Sequence, residues 1–357
     1  MVIWRRPKAD PMPDTQTQDA LGALLTLPPP ELAPGALAPL LTRHWGLAGD
    51  LSPLTSERDL NHRLTTPQGR FMVKLANPAE PEPMTGFQTG ALLHVAARDP
   101  ALPVPRLVPT RDGAPWVALP QGRLRLLTWL EGAPLHAAPH GPAQRRAVGD
   151  ALARLTAALA DYAHPADDHI LLWDIKQVPR LAPLLPSLAD SDLRAEAAAF
   201  VADFETRISP ALSRLPAQVC HADFNPHNLL VAPDDPTRVT GILDFGDMVR
   251  TPRICDLATA AAYQIDPDQA LESLSAFLSG YAARLPLTGP EVALLFDLIT
   301  ARMVTTLTIA NWRAARYPEN APYILRNAPS ARAGLAAFRR IDRAAATAAF
   351  ARATGLE

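Results

Sequence analysis

The sequence predicts an α+β protein in two lobes, a small β-rich lobe followed by a larger helical one. Three observations predict it. Strand-like stretches crowd residues 50–130, with a single helical stretch among them. Helical periodicity takes over after residue 143. The chain of 357 residues, 48 % hydrophobic and 20 % charged, is long enough for two substantial cores and too apolar to be broadly disordered. The expected division is a tail with short helices over 1–45, a β-rich lobe over 46–131 and a helical lobe over 132–357.

Residues 1–18 are polar and proline-bearing and are expected to be loose. The stretch "ALGALLTLPPPELAPGALAPLLTRHWGL" suggests one or two short helices broken by Pro28, Pro29, Pro30 and Pro34. "DLSPLTS", "LNHRLTT" and "RFMVKLA" then read as three antiparallel strands, the last two joined by the turn "TPQGR". Phe87, Ala91, Leu92 and Val95 give residues 85–98 a helical spacing. "LPVPRLVPT" and "APWVALPQGRLRLLTWLEG" return to strands, and a connector at 128–134 leads out of the lobe. Beyond it, Val148, Leu152, Leu155, Leu159 and Tyr162 recur at steps of four and three, an amphipathic helix over 143–162. Further helices are expected at 191–208, 255–264, 268–284, 291–314 and 330–352. The remaining strand signals are the short pair "NLLVA" and "VTGILDF". Such a two-lobe layout places a ligand in the cleft between the lobes.

A net charge of −2 argues against a general nucleic-acid or membrane-surface binder, though it leaves room for a local basic groove. Cys220 and Cys255 form no CxxC pattern, so a reduced, cytoplasmic protein is expected. The N-terminus lacks the apolar core of a signal peptide. The most apolar stretch, 291–312, contains Glu291, Asp297, Arg302 and Asn311, falls short of about 20 uninterrupted apolar residues, and reads as a buried helix. No membrane partner is expected, and the sequence leaves the oligomeric state open.

The chemistry concentrates in "VCHADFNPHNLLV" and in "GILDFGD", whose Asp244 falls sixteen residues after Asn228. Phosphoryl transfer needs the phosphates held, a metal to bridge them, the acceptor hydroxyl aimed and the developing charge neutralised. The spacing H-x-D-x-x-x-x-N is met by His221, Asp223 and Asn228, and D-F-G by Asp244, Phe245 and Gly246. Asp223 is the candidate to orient and deprotonate a hydroxyl. Asn228 and Asp244 are the candidate metal ligands, one amide and one carboxylate suiting Mg2+. Pro226 keeps the loop from becoming a helix. A turn between the strands at 229–232 and 239–243 would bring Asn228 and Asp244 together. Lys74, on the third strand, is the candidate phosphate-holding lysine. Each match alone is weak, and the alternative is a capping Asp223, a turn Asn228, a surface Lys74 and a strand-end Asp244.

With these residues the sequence resembles the aminoglycoside phosphotransferase-like kinases, small-molecule relatives of protein kinases, and within them the hydroxylysine kinase branch. The resemblance runs from about 45 to 315 and is carried by "LTSERDLNHRL", "FMVKLANPAEPE", "FQTGALLHVA", "LPVPRLVPT", "RLLTWLEGAPL", "LLWDI", "HADFNPHNLLV" and "GILDFGDMVRTPRICDLA". It implies a bilobal protein-kinase-like fold, Mg2+, and ATP or GTP as phosphoryl donor. In that family the histidine at 221 braces the loop while the aspartate does the chemistry. The backbone of Trp129, Leu130 and Glu131 corresponds to the purine-binding hinge.

Two features depart from the family pattern. No G-x-G-x-x-G loop exists, and "SERDLN", residues 56–61, stands in its place, with Ser56 and backbone amides left to cover phosphates. The family's helix glutamate, partner of the strand lysine, corresponds to Gln88. An amide cannot neutralise Lys74, which leaves it fully cationic or hands its orientation to Glu80 or Glu82.

Other residues admit two readings. His227 touches substrate or metal, or faces solvent. Asp247 binds a cationic amine, or pairs with Arg250 and Arg253. Trp173 and Asp174 form an ammonium pocket, or are a core tryptophan and a cap. Arg302 and Trp312 face the acceptor site, or pack. "HPADDH", 164–169, is a metal site or a solvated loop. Asp256 reads as the N-cap of a helix, and by resemblance ties that helix to the catalytic loop. The expected activity is transfer of a γ-phosphate to an amino alcohol or hydroxy amino acid, with 5-hydroxylysine the leading acceptor. Homoserine, choline or ethanolamine and aminoglycosides are the rivals, and a nucleotide-binding regulatory module with little turnover is the alternative of another class.

Overall fold

The computed structural model describes residues 29–356 apart from Pro34 and Glu57. The expected loose tail and any helical turn before Pro28 lie outside the described residues. The chain divides into two compact units. The first holds the residues up to Leu93, Arg106–Trp129 and Ala163–Ile170, and the second holds His94–Pro105, Leu130–Tyr162 and the chain from Leu171 onward. Its path therefore differs from a single cut near residue 131.

In the first unit a five-stranded antiparallel sheet runs in the order β1-β2-β3-β5-β4. The strands are β1 (Asp50–Leu54), β2 (Leu60–Thr66), β3 (Gly69–Leu75), β4 (Val117–Leu119) and β5 (Gly122–Thr128). The β2–β3 turn is set by Thr66, whose hydroxyl donates to the Gly69 carbonyl (2.9 Å) and accepts the Gln68 N–H (3.1 Å). From there the register pairs Asn61 with Lys74. Alternation sends Val73 and Leu75 into the core and Lys74 to the opposite face. The core closes under α1 (Leu37–Trp45), where Leu37, Leu41 and Trp45 pack on Leu64, Val73, Leu75, Leu124 and Leu126. α2 (Glu82–Arg98) buries Phe87, Ala91 and Val95 completely. The strand expected over "LPVPRLVPT" is reduced to one bridge, Leu107 to Leu127, because prolines at 103, 105 and 109 remove the donors a ladder needs.

The second unit is mainly helical. It contains α3 (Pro142–Ala158), α4 (Ser191–Asp203), α5 (Arg253–Ala262), α6 (Ala270–Ala282), α7 (Gly289–Arg316), α8 (Ala328–Phe338) and α9 (Arg343–Thr354). The single helix expected over 330–352 is thus two. The break falls before Asp342, whose side chain caps α9 by accepting the Ala345 N–H (2.9 Å). Short strands carry the functional loops. β6 (Ala133–Pro134), β8 (Leu229–Ala232) and β9 (Asp235–Ile242) form one sheet, and β7 (Ala217–Cys220) pairs with β10 (Val249–Pro252). β6, β7 and β10 span two to four residues, too few for a period-2 pattern to register in the sequence. α7 is long and apolar enough to pass for a membrane span, with a mean hydropathy of 1.7 over 18 residues, but 83 % of that window is buried in the protein. It is a core helix.

Candidate active site

Residues 221–228 connect β7 to β8, and their backbone is fixed from three sides. Ala222 adopts a left-handed conformation (φ 60°), unfavourable for a residue with a Cβ. The Asp256 carboxylate holds it there, accepting the His221 N–H (3.3 Å) and the Ala222 N–H (2.9 Å). Asp256 is therefore not an N-cap. α5 begins three residues earlier, after Pro252, and places Asp256 inside the helix beneath the loop. Burial raises its carboxyl, against the pull of the two backbone donors. His221 is fully buried. Its Nδ1 accepts the Asp223 N–H (3.3 Å), so Nε2 carries the proton and donates to the Leu243 carbonyl (2.9 Å). That geometry makes it a brace.

The same carbonyl row ties the second motif to the first. Leu229 pairs with Ile242 across β8 and β9, and the Leu243 N–H donates to the Asn228 carbonyl (2.8 Å). Asp244 follows directly, exposed and left-handed (φ 56°), with Oδ1 accepting the Gly246 N–H (3.2 Å). An aspartate tolerates this conformation better than most residues. Asn228 and Asp244 thus flank a single backbone hydrogen bond.

Asp223 is the centre of the loop. Its Oδ2 accepts from Asn225 Nδ2 (2.9 Å) and Asn228 Nδ2 (2.7 Å), and its Oδ1 from Arg302 Nη2 (3.1 Å). The side chain is 21 % exposed, so the carboxylate is reachable from outside. Burial raises its carboxyl to about 6, against the pull of Arg302 and with a push from Asp247. Asn228 uses both amide hydrogens on Asp223, one on Oδ2 and one on the main-chain carbonyl (3.0 Å). Its Oδ1, a hard oxygen, is left facing away from Asp223.

Among the described residues no group of three or more His, Cys, Asp and Glu side chains is arranged for a metal. The donor set of Asn228 Oδ1 and the exposed Asp244 carboxylate nevertheless fits Mg2+, which takes one or two protein oxygens and completes its shell with phosphate and water.

Several expected residues fall elsewhere. Lys74 pairs with Asp59 (Nζ–Oδ2 2.8 Å), both side chains nearly buried. Burial would raise the Asp59 carboxyl, yet Lys74 outweighs it and keeps it low. Gln88 instead accepts from Arg125 Nη2 (2.9 Å) and donates to Glu80 Oε2 (3.0 Å), an amide bridging a cation and an anion. Ser56 accepts the Asp59 N–H (3.2 Å), which fixes the turn before β2. The Trp129 N–H already donates to the Arg70 carbonyl (3.3 Å), and Arg63 lies over its ring. Leu130 is half-buried and Glu131 exposed.

No ammonium pocket forms from Trp173 and Asp174. Asp174 is buried, accepts from Thr251 (3.0 Å) and lies 3.6 Å from Lys176 Nζ, while the Trp173 ring is covered by the Arg302 guanidinium (5.3 Å). Arg253 binds Glu291 (2.7 Å). Asp247 sits buried on the turn after Asp244. "HPADDH" closes on itself, His164 N–H to Asp167 (3.1 Å) and His169 to the Ala166 carbonyl (3.0 Å). His227 stacks on His136 (4.2 Å), and burial lowers it to about 4.

Asn225 and Asp59 escaped the sequence reading. For Asp59 a signal existed. With Asn61 opposite Lys74, residue 59 shares the face of 61 and is a diagonal neighbour of the lysine, within reach of a long side chain.

The chain is similar to known proteins in sequence and in fold. Over 213 residues the chain is 29 % identical to the hydroxylysine kinase of Bos taurus, a match covering 57 % of each protein. The chain therefore spans little more than half the length of that relative. Among solved structures, amicoumacin kinase in complex with AMP-PNP, Ca2+ and Ami superposes with a TM-score of 0.63 at 14 % identity, covering 84 % of this chain and 95 % of that one. The microcompartment-associated aminopropanol kinase gives 0.62 at 19 %, covering 85 % and 96 %. At such identities these two show the fold, which is the protein-kinase-like α+β fold. Residues 50–293, well over half of the sequence and including every motif described above, match the phosphotransferase enzyme family, and the chain belongs to that family.

Proposed function

We propose that the protein is a small-molecule O-kinase, transferring the γ-phosphate of ATP or GTP to the hydroxyl of an amino alcohol or hydroxy amino acid. The observation that carries the reading is the Asp223 carboxylate, held by two asparagine amides and one arginine in a reachable loop. In this reading Asp223 accepts the acceptor's hydroxyl proton as the O–P bond forms and the bond to the leaving diphosphate breaks. A carboxyl raised to about 6 is ionised at pH 7 yet basic enough to take that proton late. Asn228 Oδ1 and the Asp244 carboxylate would hold Mg2+, which neutralises the phosphate charge when bound. Lys74 steadies the nucleotide oxygens. Asp223 and Asp247 give the acceptor region a negative character that suits a protonated amine, and 5-hydroxylysine is the leading candidate given the relative above. The free, buried Cys220 and Cys255 suit a reducing, cytoplasmic setting.

The test incubates the protein with Mg-ATP or Mg-GTP and a panel of 5-hydroxylysine, homoserine, ethanolamine, choline, 1-amino-2-propanol and an aminoglycoside, following nucleoside diphosphate release. Acceptor-stimulated release is expected, with Asp223→Asn reducing kcat about 10³-fold while nucleotide still binds. Thermal stabilisation by nucleotide without stimulated turnover would replace the kinase with a nucleotide-binding module.

A further inference from the structure

We infer that Arg302 is the positioning residue of the Asp223 carboxylate and that the acceptor hydroxyl docks on Oδ1, beside it. The inference rests on the O-kinase reading and names which oxygen does the work.

A carboxylate offers about four lone-pair sites, two on each oxygen. Both sites of Oδ2 are occupied, by Asn225 (2.9 Å) and Asn228 (2.7 Å). Among the described residues Oδ1 receives Arg302 alone (3.1 Å), so it carries the lone pair still open to a substrate proton. The contact from Arg302 is single. A fork gripping both oxygens would close the carboxylate, but the asparagines already hold Oδ2 and the arginine reaches only its neighbour.

Arg302 is itself fixed to a degree unusual for so flexible a side chain. It is 2 % exposed, in the middle of α7. Nη1 donates to the Trp173 carbonyl (3.0 Å) and Nη2 to the Tyr263 hydroxyl (3.1 Å), while the Trp173 and Tyr263 rings lie against the guanidinium at 5.3 and 5.6 Å. With aromatic rings packed on the guanidinium and both terminal nitrogens engaged, the group is not presented to a substrate carboxylate. Its role is to hold Oδ1 in one place.

The experiment compares wild type with Arg302→Lys, Arg302→Ala and Tyr263→Phe in steady-state kinetics, together with thermal unfolding. Arg302→Lys is expected to lower kcat about 30-fold or more, since a misplacement of about 1 Å costs about 100-fold, with both KM values within about threefold. Added guanidinium ion is expected to restore part of the Arg302→Ala activity, which a purely structural defect would not allow. Tyr263→Phe, which keeps the ring and removes one hydrogen bond, is expected to lower kcat about threefold to tenfold with a melting temperature lower by only about 2–4 °C. Should the arginine variants not fold, the tyrosine variant decides alone. A kcat within twofold of wild type in that variant, or a raised acceptor KM at normal kcat in Arg302→Lys, would overturn the assignment. A wild type with no phosphoryl transfer to any acceptor would instead sink the kinase reading beneath it.

Discussion

Lys74 shows how a single residue is served by an unexpected partner. The family's helix position is an amide here, and the lysine takes its counter-charge from Asp59, at the start of its own hairpin. Gln88 fits its place because it must accept from Arg125 and donate to Glu80 at once, which glutamate cannot do. Two outcomes follow for nucleotide binding measured by calorimetry. Asp59→Asn is expected to weaken Mg-nucleotide affinity about tenfold and lower the melting temperature, because a nearly buried ammonium loses the charge of its carboxylate neighbour. Gln88→Glu, which restores the family residue, is expected to bring no gain and to destabilise, since it sets a second carboxylate beside Glu80. Unchanged affinity in Asp59→Asn would show that Lys74 is oriented by something else. Motif spacing picked out Asp223, Asn228 and Asp244, and the strand pattern picked out Lys74, as the residues proposed for the chemistry. What orients them is only partly legible in the sequence: by resemblance Asp256 is expected to tie its helix to the loop, and the β2–β3 register carries a signal for Asp59, whereas Arg302 reaches Asp223 across folded distance and has no offset to read.

At the scale of elements, periodicity gave helix positions but not their mates. Apolar spacing predicts a helix over 143–162, and another is expected at 268–284; each range holds one glycine, Gly149 and Gly280, a residue that weakens a helix interior. The structure supplies the reason for both. α3 and α6 cross so closely that a Cβ on Gly149 would lie 2.2 Å from the Phe277 carbonyl oxygen, and one on Gly280 2.0 Å from that of Arg146. Both obstacles are backbone, so neither rotates away. Gly280→Ala gains about 1 kcal/mol of helix propensity but must push two helices apart, an overpacking cost of about 3 kcal/mol. The expected net loss is about 2 kcal/mol, seen as a melting temperature lower by about 4 °C. The double variant with Gly149→Ala should lose less than the sum, since one displacement accommodates both methyl groups. A neutral or stabilising Gly280→Ala would mean the two helices are not in such close contact.

At the scale of the whole chain, the helix that looked most like a membrane span organises the second unit. Along one buried rod, Glu291 binds Arg253 at the start of α5, Asp297 binds Arg207 (2.9 Å) and Arg343 (3.1 Å), and Arg302 binds the catalytic loop. Its charged residues, which in the sequence count against a membrane, are therefore its connections to α5, to the segment after α4, and to α9. Asp297 is the clearest to test, being remote from the proposed chemistry. Burial would raise its carboxyl, but the two guanidinium groups outweigh this and hold it below the usual carboxylate value. A carboxyl whose folded value lies below its unfolded one stabilises the protein at any pH above about 4, and that stabilisation disappears as pH falls through the lower, folded value. Asp297→Asn keeps the shape and removes the charge. Both arginines are half-exposed and regain water when released, so the loss at pH 7 is set at about 2 kcal/mol, below the range for fully buried pairs. Melting measured from pH 7 to pH 3 is expected to start about 4 °C lower in the variant and to draw closer to wild type as pH falls below about 4, because protonation of Asp297 costs wild type an interaction the variant already lacks. A constant gap across that range would locate the lost stability in packing, and α7 would owe its central place to its apolar side chains alone.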